Sequence, residues 1–86
     1  MRLDKYLKVS RIIKRRTVAN EACTAGRVDI NGKTAKASSE VREGDTLSIL
    51  LGGRRFTVRV VSLQEHTAKA DASSMYEVIG DAIPQQ

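Results

Sequence analysis

The stretch TVANEACTAGRVDINGKTAK, residues 17–36, contains the point at which the sequence pattern changes from helix to strand. Its first part places the small side chains of Ala19, Ala22 and Cys23 at the spacing of one helix face. Thr17, just before them, is a residue type that often caps a helix start. We therefore predict a short helix with Thr17 as its N-cap and an inner face that allows close packing.

The second part of this stretch predicts a helix stop followed by a hairpin. Gly26 is the residue type that most easily adopts the left-handed conformation at a helix end. Asn31-Gly32 is the strongest short-range hairpin signal. Further turn signals at residues 43–45 (Glu-Gly-Asp) and at Gly52-Gly53 separate two more strand patterns. This part of the sequence therefore predicts an antiparallel sheet.

Upstream of this stretch, apolar residues predict another helix and a buried connection. A stripe at positions i, i+3 and i+4 predicts a helix over about residues 2–9. On a different face, Asp4 and Lys8 stand four residues apart and are predicted to form an exposed ion pair. The apolar residues of the stripe and the connection are Leu3, Tyr6, Leu7, Ile12 and Ile13.

These patterns predict an α+β fold with two short N-terminal helices packed on a small antiparallel, hairpin-rich sheet. Residues 64–74 are predicted to be a loop with one helical turn, and MYEVI, residues 75–79, fits either a strand or a helix end. The predicted inward-facing positions of the preceding strand are Phe56, Val58 and Val60. We expect residues 1–50 to form a helix-helix-hairpin binding motif and residues 51–86 to complete the same single domain.

Positive charge is concentrated in the first half of the chain. The 86 residues carry a net charge of +5, but residues 1–44 hold 11 Lys and Arg against 5 Asp and Glu, whereas residues 45–86 hold 4 against 5. Such asymmetry is typical of proteins that bind a polyanion, either nucleic acid or an acidic membrane surface. A basic face that is merely solvated is the alternative.

The chemically reactive residues form no recognisable catalytic or metal-binding pattern. With one cysteine, Cys23, and one histidine, His66, the chain cannot form an internal disulfide or a cysteine-based zinc site. We expect Cys23 to be a packing residue, His66 a loop residue, and the protein to have no enzymatic activity, cofactor or metal. No apolar run is long enough to span a membrane, and we expect a cytoplasmic protein. A mitochondrial presequence is an alternative interpretation of the Arg-rich start.

Three cations precede the predicted second helix, where they are electrostatically unfavourable. A helix start carries partial positive charge and unpaired N–H groups, so Lys14, Arg15 and Arg16 oppose it unless an anion binds there. Arg2 and Lys5, three apart on the first helix, can face the same ligand. The candidate nucleic-acid-binding residues are Arg2, Lys5, Lys14, Arg15, Arg16, Thr17, Arg27, Lys33 and Lys36.

The scarcity of aromatic residues favours a partner that is recognised by its phosphates and its shape. Proteins that read single strands stack bases on exposed rings, and this chain has only Tyr6, Phe56 and Tyr76. A helix-turn-helix reader of DNA needs a dimer and side chains that reach base edges, but the second helix is rich in alanine. We favour folded RNA, with a DNA-binding regulator as the alternative. The basic tip at residues 52–55 is either a further RNA contact or a solvated turn.

Residues 2–49, RLDKYLKVSRIIKRRTVANEACTAGRVDINGKTAKASSEVREGDTLSI, resemble the small RNA-binding domain first described in ribosomal small-subunit protein four, the alpha-L RNA-binding motif. The shared features are two short helices, the basic helix start, GRVDINGK and the EGD turn before a strand. The chain departs from the usual Ser-Arg-Thr pattern because Arg15 replaces the leading serine before Arg16-Thr17, which puts the helix cap in doubt but keeps the arginine. The start at Met1 and the ending DASSMYEVIGD resemble the compact bacterial relatives of the fifteen-kilodalton heat-shock protein.

This second resemblance implies a role in ribosome-associated quality control. Such proteins bind large ribosomal subunits that carry an obstructed peptidyl-tRNA, contact ribosomal RNA and the peptidyl-site tRNA, and support C-terminal alanine tailing of the stalled chain. The expected partners are therefore large-subunit rRNA, peptidyl-site tRNA and the alanine-tailing factor, and the expected state is a monomer. By position, Arg2 and Arg16 are the residues expected to touch RNA, with Lys5, Lys14 and Arg15 beside them. A general rRNA-binding protein of the heat-shock type, or a permanent ribosomal protein, is the alternative.

Overall fold

The structure, a computed structural model, describes residues 1–64 and 69–80. The described residues form two helices, α1 (Leu3–Val9) and α2 (Arg16–Thr24), followed by five strands and one 3-10 helix. The strands are β1 (Val28–Ile30), β2 (Lys33–Thr34), β3 (Thr46–Leu51), β4 (Arg54–Val60) and β5 (Tyr76–Val78), and the 3-10 helix spans Lys69–Met75. The predicted α+β fold is confirmed. None of the helices in this described part of the chain has the length and apolar character needed to cross a membrane.

The strands form one antiparallel sheet in the order β2-β1-β3-β4-β5. Asn31 and Gly32 have φ values of 51° and 84°, the positive values that a tight hairpin turn between β1 and β2 requires. Gly26, at φ 74°, follows the end of α2. The helix stop and the hairpin therefore lie where the sequence predicted them.

One face of the sheet and the inner faces of both helices enclose a single core. Leu47 and Ile49 of β3 pack there with Phe56, Val58 and Val60 of β4, and each of these residues is at most 1% exposed. The residues buried against them from the first half of the chain are Leu3, Tyr6, Leu7, Ile12, Ile13, Ala19, Ala22 and Cys23. The helix stripes, the buried connection and the shared face of β4 were predicted and are confirmed, whereas the inward positions of β3 were not predicted individually.

The C-terminal part of the chain closes this core. The hydroxyl of Tyr6 donates to the carbonyl of Met75 at 2.7 Å, inside the protein. Met75 is fully buried at the end of the 3-10 helix, which is longer than the single helical turn that was predicted. Tyr76–Val78 then pair with β4, so MYEVI contains a strand. His66, the predicted loop residue, lies outside the described residues.

Two local predictions are wrong. α2 begins at Arg16, so the N-cap residue is Arg15 and not Thr17; Arg15 has an extended backbone (φ −114°, ψ 132°) and makes no side-chain cap hydrogen bond. Asp4 does not form an exposed pair with Lys8, because the Asp4 side chain is only 3% exposed and its carboxylate contacts arginines. Both corrections concern the surface on which the candidate cations lie.

Candidate nucleic-acid interface

The first residues of the chain are fixed against the segment that follows β2. The backbone N–H of Val41 donates to the carbonyl of Met1 at 2.8 Å, and the N–H of Leu3 donates to the carbonyl of Ser39 at 2.8 Å. These two hydrogen bonds flank Arg2, which is exposed. The backbone that carries this arginine is therefore held by a segment distant in sequence.

A buried carboxylate joins the start of α1 to α2. Arg2 donates to both oxygens of Asp4, from Nε to Oδ1 at 3.2 Å and from Nη2 to Oδ2 at 3.3 Å. From α2, Arg16 Nη2 lies 3.5 Å from Oδ1, and Asn20 Nδ2 lies 3.5 Å from Oδ2. The backbone N–H of Lys5 donates to Oδ1 at 2.8 Å. We call Arg2, Asp4, Arg16 and Asn20 the Asp4 cluster.

These partners determine the charge state of the carboxylate. Burial by itself raises the pKa of Asp4, since a charged carboxylate loses hydration inside a protein. The hydrogen bond from Asn20, the charge of Arg16, the N–H of Lys5 and the charge of Arg2 oppose burial, and the pKa of Asp4 lies below its usual value of 3.8. Asp4 is therefore ionised at neutral pH. Because arginine is always charged in proteins, the cluster keeps one net positive charge.

The two arginines of the cluster remain accessible to a ligand. The side chains of Arg2 and Arg16 are 54% and 50% exposed. A guanidinium group has five N–H donors, so the donors that are not used on the buried carboxylate can face an anion. Lys14, Arg15 and Thr17 are exposed beside Arg16. Arg2 and Arg16, from the two helix starts, thus lie together on one surface.

Two open grooves flank the Asp4 cluster. The first has a volume of about 390 Å³ and is lined by Thr17 and Glu21 together with three members of the cluster. The second has a volume of about 510 Å³ and lies between the end of α2 and residues 34–38, with Arg2 and Lys36 among its lining residues. Because Arg2 and Lys36 both line the second groove, the predicted residue Lys36 lies near the cluster.

Two other predicted residues lie away from the helix starts. Lys33 is exposed on β2, at the edge of the sheet, and Arg27 is exposed just before β1. Neither residue is among those that line the two grooves beside the Asp4 cluster. Their contact with RNA stays a prediction. It requires an RNA that extends from the helix starts to the hairpin.

The basic tip between β3 and β4 is partly engaged within the protein. Arg55 Nη1 donates to Ser48 Oγ at 2.8 Å and lies 3.7 Å from Asp29 Oδ2, on the face of the sheet opposite the core. Arg54 is exposed. The contacts of Arg55 favour the interpretation of this tip as a solvated turn whose arginine stabilises the sheet.

Asp4 and Asn20 are the residues of this surface that the sequence reasoning missed. A usable signal was present, because Asp4 is the only acidic residue among the first 20, which contain seven Lys and Arg. A lone carboxylate in such a cationic segment is a candidate for sharing by several arginines. Asn20 stands four residues after Arg16, so the two side chains share one face of α2.

Cys23 provides a test of the core beneath this surface. The residue is 2% exposed, burial raises the pKa of its thiol to about 11, and the nearby charge of Asp4 acts in the same direction. Because the thiolate is the reactive form, we expect Cys23 at neutral pH to be alkylated about 100-fold more slowly in the folded protein than in denaturant. Mass spectrometry of timed alkylation in buffer and in urea measures both rates. Equal rates would contradict a packing role.

Known proteins are similar to this chain in sequence and in fold. Residues 1–47 match the model of the S4 domain. The RQC P-site tRNA stabilizing factor of Halalkalibacterium halodurans is 53% identical over 78 residues, which cover 91% of this chain and 89% of that protein. The protein of the same name from Bacillus subtilis is 52% identical over 79 residues, which cover 92% of each chain. The trimeric structure of Vibrio cholerae heat shock protein 15 has a TM-score of 0.83 at 28% identity and covers 91% of this chain and 80% of that one.

The helix pair, the hairpin that follows it and the matched family model define an S4-domain protein. The fold likeness to heat shock protein 15 agrees with the resemblance noted in the sequence. The chain belongs to the family of RQC P-site tRNA stabilizing factors, since it is 53% and 52% identical to two members over aligned segments that cover 91% and 92% of its length.

Proposed function

We propose that this protein binds ribosomal RNA and peptidyl-site tRNA on large ribosomal subunits that carry an obstructed peptidyl-tRNA. There it supports C-terminal alanine tailing of the stalled chain, together with the factor that recruits alanyl-tRNA. It acts in the cytoplasm by binding alone and catalyses no reaction. The names of the relatives from Halalkalibacterium halodurans and Bacillus subtilis support the tRNA-binding part of this proposal, since both are called RQC P-site tRNA stabilizing factor.

The arrangement of the Asp4 cluster is the main support for the RNA-binding part of the proposal. Arg2 and Arg16 come from different parts of the chain, share one carboxylate and remain half-exposed. Guanidinium groups bind phosphate oxygens through paired, charge-assisted hydrogen bonds. The start of α2, beside Arg16, adds the partial positive charge of a helix N-terminus. This surface is therefore suited to the backbone of folded RNA.

Stabilising a tRNA in one position requires a difference in affinity. A protein that binds two states of a complex equally well shifts neither of them. We infer that the cationic surface contacts rRNA and tRNA together, which is possible only when the tRNA occupies the peptidyl site. The protein then favours that tRNA position for as long as tailing continues.

Removal of either cluster arginine tests the surface directly. We expect Arg2→Ala and Arg16→Ala each to weaken binding to obstructed large subunits about tenfold, because each removes charge-assisted hydrogen bonds to phosphate. Arg59→Ala is the matched control, since it removes the same charge from an exposed position on β4, opposite Glu77 of β5. The bound fraction is measured by co-sedimentation through a sucrose gradient at fixed salt.

The control and the folding of each variant decide how this result is interpreted. Thermal unfolding must show that all three variants are folded at the assay temperature. If Arg59→Ala weakens binding as much as Arg16→Ala does, net charge governs binding and the proposed surface is wrong. Alanine tails on a stalling reporter, measured by mass spectrometry in cells that contain only the variant protein, test the downstream role. Unchanged tailing with Arg16→Ala would contradict that role.

A further inference from the structure

We propose that Asp4 is a positioning residue for RNA recognition, which holds Arg2 and Arg16 in one mutual arrangement so that their free donors fit one spacing of phosphates. This inference rests on the proposed function and deepens it. With 3% of its side chain exposed, Asp4 is covered by the protein and does not contact RNA itself. It acts through the two arginines.

The hydrogen bonds of the cluster support a fixed arrangement. Arg2 uses a paired contact to both oxygens of Asp4, which fixes the plane of its guanidinium. Arg16 lies against one of the same oxygens, so the two guanidinium groups are held close together. Asn20 and the backbone N–H of Lys5 fix the carboxylate in turn. Each arginine thus contacts a buried carboxylate that has further hydrogen-bond partners of its own.

The charge of Asp4 cannot be explained by affinity for RNA. A carboxylate beneath a phosphate-binding surface opposes a polyanion, and the surface would be more cationic without it. Two adjacent guanidinium groups repel each other, and the shared carboxylate offsets that repulsion. Fixing flexible side chains before binding reduces the entropy that binding costs, and a fixed charge pattern contributes specificity more than affinity. The presence of Asp4 is therefore explained by pre-organisation.

A purely structural role for Asp4 is the competing explanation. The carboxylate also links the start of α1 to α2, and its loss could loosen the helix pair. The two helices, however, are joined independently by the apolar core, to which Leu3 and Leu7 of α1 and Ala19 and Ala22 of α2 contribute. A test must therefore separate the geometry of the arginines from the stability of the fold.

The variant Asp4→Asn separates charge from positioning. It keeps the shape of the side chain and raises the net charge of +5 by one unit. We expect its binding to obstructed large subunits to weaken about tenfold, while its binding to a random-sequence RNA duplex at the same salt is unchanged or tighter. If its binding to subunits is unchanged or tighter, although Arg2→Ala and Arg16→Ala bind weakly, the inference is overturned and the proposed function stands. Full binding by both arginine variants would overturn the proposed function itself.

A double-mutant cycle provides a readout that a structural role would not produce. In a protein that already lacks both guanidinium groups, through Arg2→Ala and Arg16→Ala, we expect Asp4→Asn to cause no further loss of subunit binding. A further loss as large as in the wild-type background would show that Asp4 acts through the fold and would overturn the inference.

A measurement on the wild-type protein keeps the inference testable if Asp4→Asn fails to fold. Nitrogen-15 NMR relaxation of the Nε–H group of Arg2 in the free protein reports whether this side chain is already fixed. We expect an order parameter close to that of the rigid backbone, about 0.85, for this group. A value below about 0.6, typical of a flexible group, would show that the arginine is not held before RNA binds and would overturn the inference.

Discussion

The affinity of this protein for obstructed large subunits is expected to fall about 250-fold when monovalent salt rises from about 50 to about 200 mM. Each phosphate that a cation neutralises releases a counterion from the RNA, so the logarithm of the binding constant falls linearly with the logarithm of salt concentration. Neutralisation of about five phosphates gives a slope near −4. The five cations at the two helix starts are Arg2, Lys5, Lys14, Arg15 and Arg16.

The slope is best measured by titrating labelled protein with purified subunits at several salt concentrations, with magnesium held constant so that the subunits stay intact. Arg16→Ala is expected to make the slope less steep by about one unit, because one phosphate contact is lost. The control Arg59→Ala removes a charge from β4 and is expected to leave the slope unchanged. A nearly flat salt response of the wild-type protein would refute the phosphate contacts and with them the proposed surface.

The features that were predictable from the sequence are those that local chemistry determines. Asn31-Gly32 requires positive φ at two successive residues, a conformation that few other residue pairs adopt, and the hairpin lies at that pair. The alternation of Phe56, Val58 and Val60 fixed the inward face of β4 because the side-chain period of a strand is two residues. Neither inference needed information from a distant part of the chain.

The burial of Asp4, in contrast, depends on tertiary structure. In a helix of seven residues the periodicity separates an inner from an outer face only roughly, and the pattern placed Asp4 outside, next to Lys8. The backbone N–H of Asp4 donates to the carbonyl of Ala37 at 3.2 Å, so a segment more than 30 residues away covers the start of α1. Arg16 reaches the carboxylate from the second helix. No rule based on residues three or four apart can find these partners.

The predicted start of α2 was two residues too late, for a related reason. Thr17 is a good cap only if its own backbone is extended, but the extended residue is Arg15. The helix therefore begins at Arg16, and both Arg16 and Thr17 occupy its first turn, where the N–H groups have no partner in the preceding turn. Lys14 and Arg15 thus lie two residues closer to the helix start than the sequence suggested, whereas Thr17 lies inside the helix. Their contact with RNA stays a prediction.

Tyr6 is the residue whose loss is expected to destabilise the protein most. Tyr6 belongs to α1 and its side chain is fully buried. Its hydroxyl donates to the carbonyl of Met75, 69 residues away, at 2.7 Å. Burial raises the pKa of Tyr6, and the nearby Tyr76 acts in the same direction, so the hydroxyl remains a hydrogen-bond donor at neutral pH. We expect Tyr6→Ala to reduce the free energy of unfolding by about 3 to 5 kcal/mol, the usual loss for a large buried aromatic ring. For a small domain that is a large part of the total.

Tyr6→Phe is the matched control, because it removes only the hydroxyl. The Met75 carbonyl also accepts from the backbone N–H groups of Val61 at 2.8 Å and Ser62 at 3.2 Å, so it keeps these partners and the expected cost is about 1 kcal/mol. Urea unfolding measures both values. Since Tyr6 joins the S4-matched residues 1–47 to the C-terminal part, we also expect probes in both halves to unfold in one transition. Two separate transitions, or a loss below about 1 kcal/mol for Tyr6→Ala, would show that the C-terminal part is not needed to complete the core.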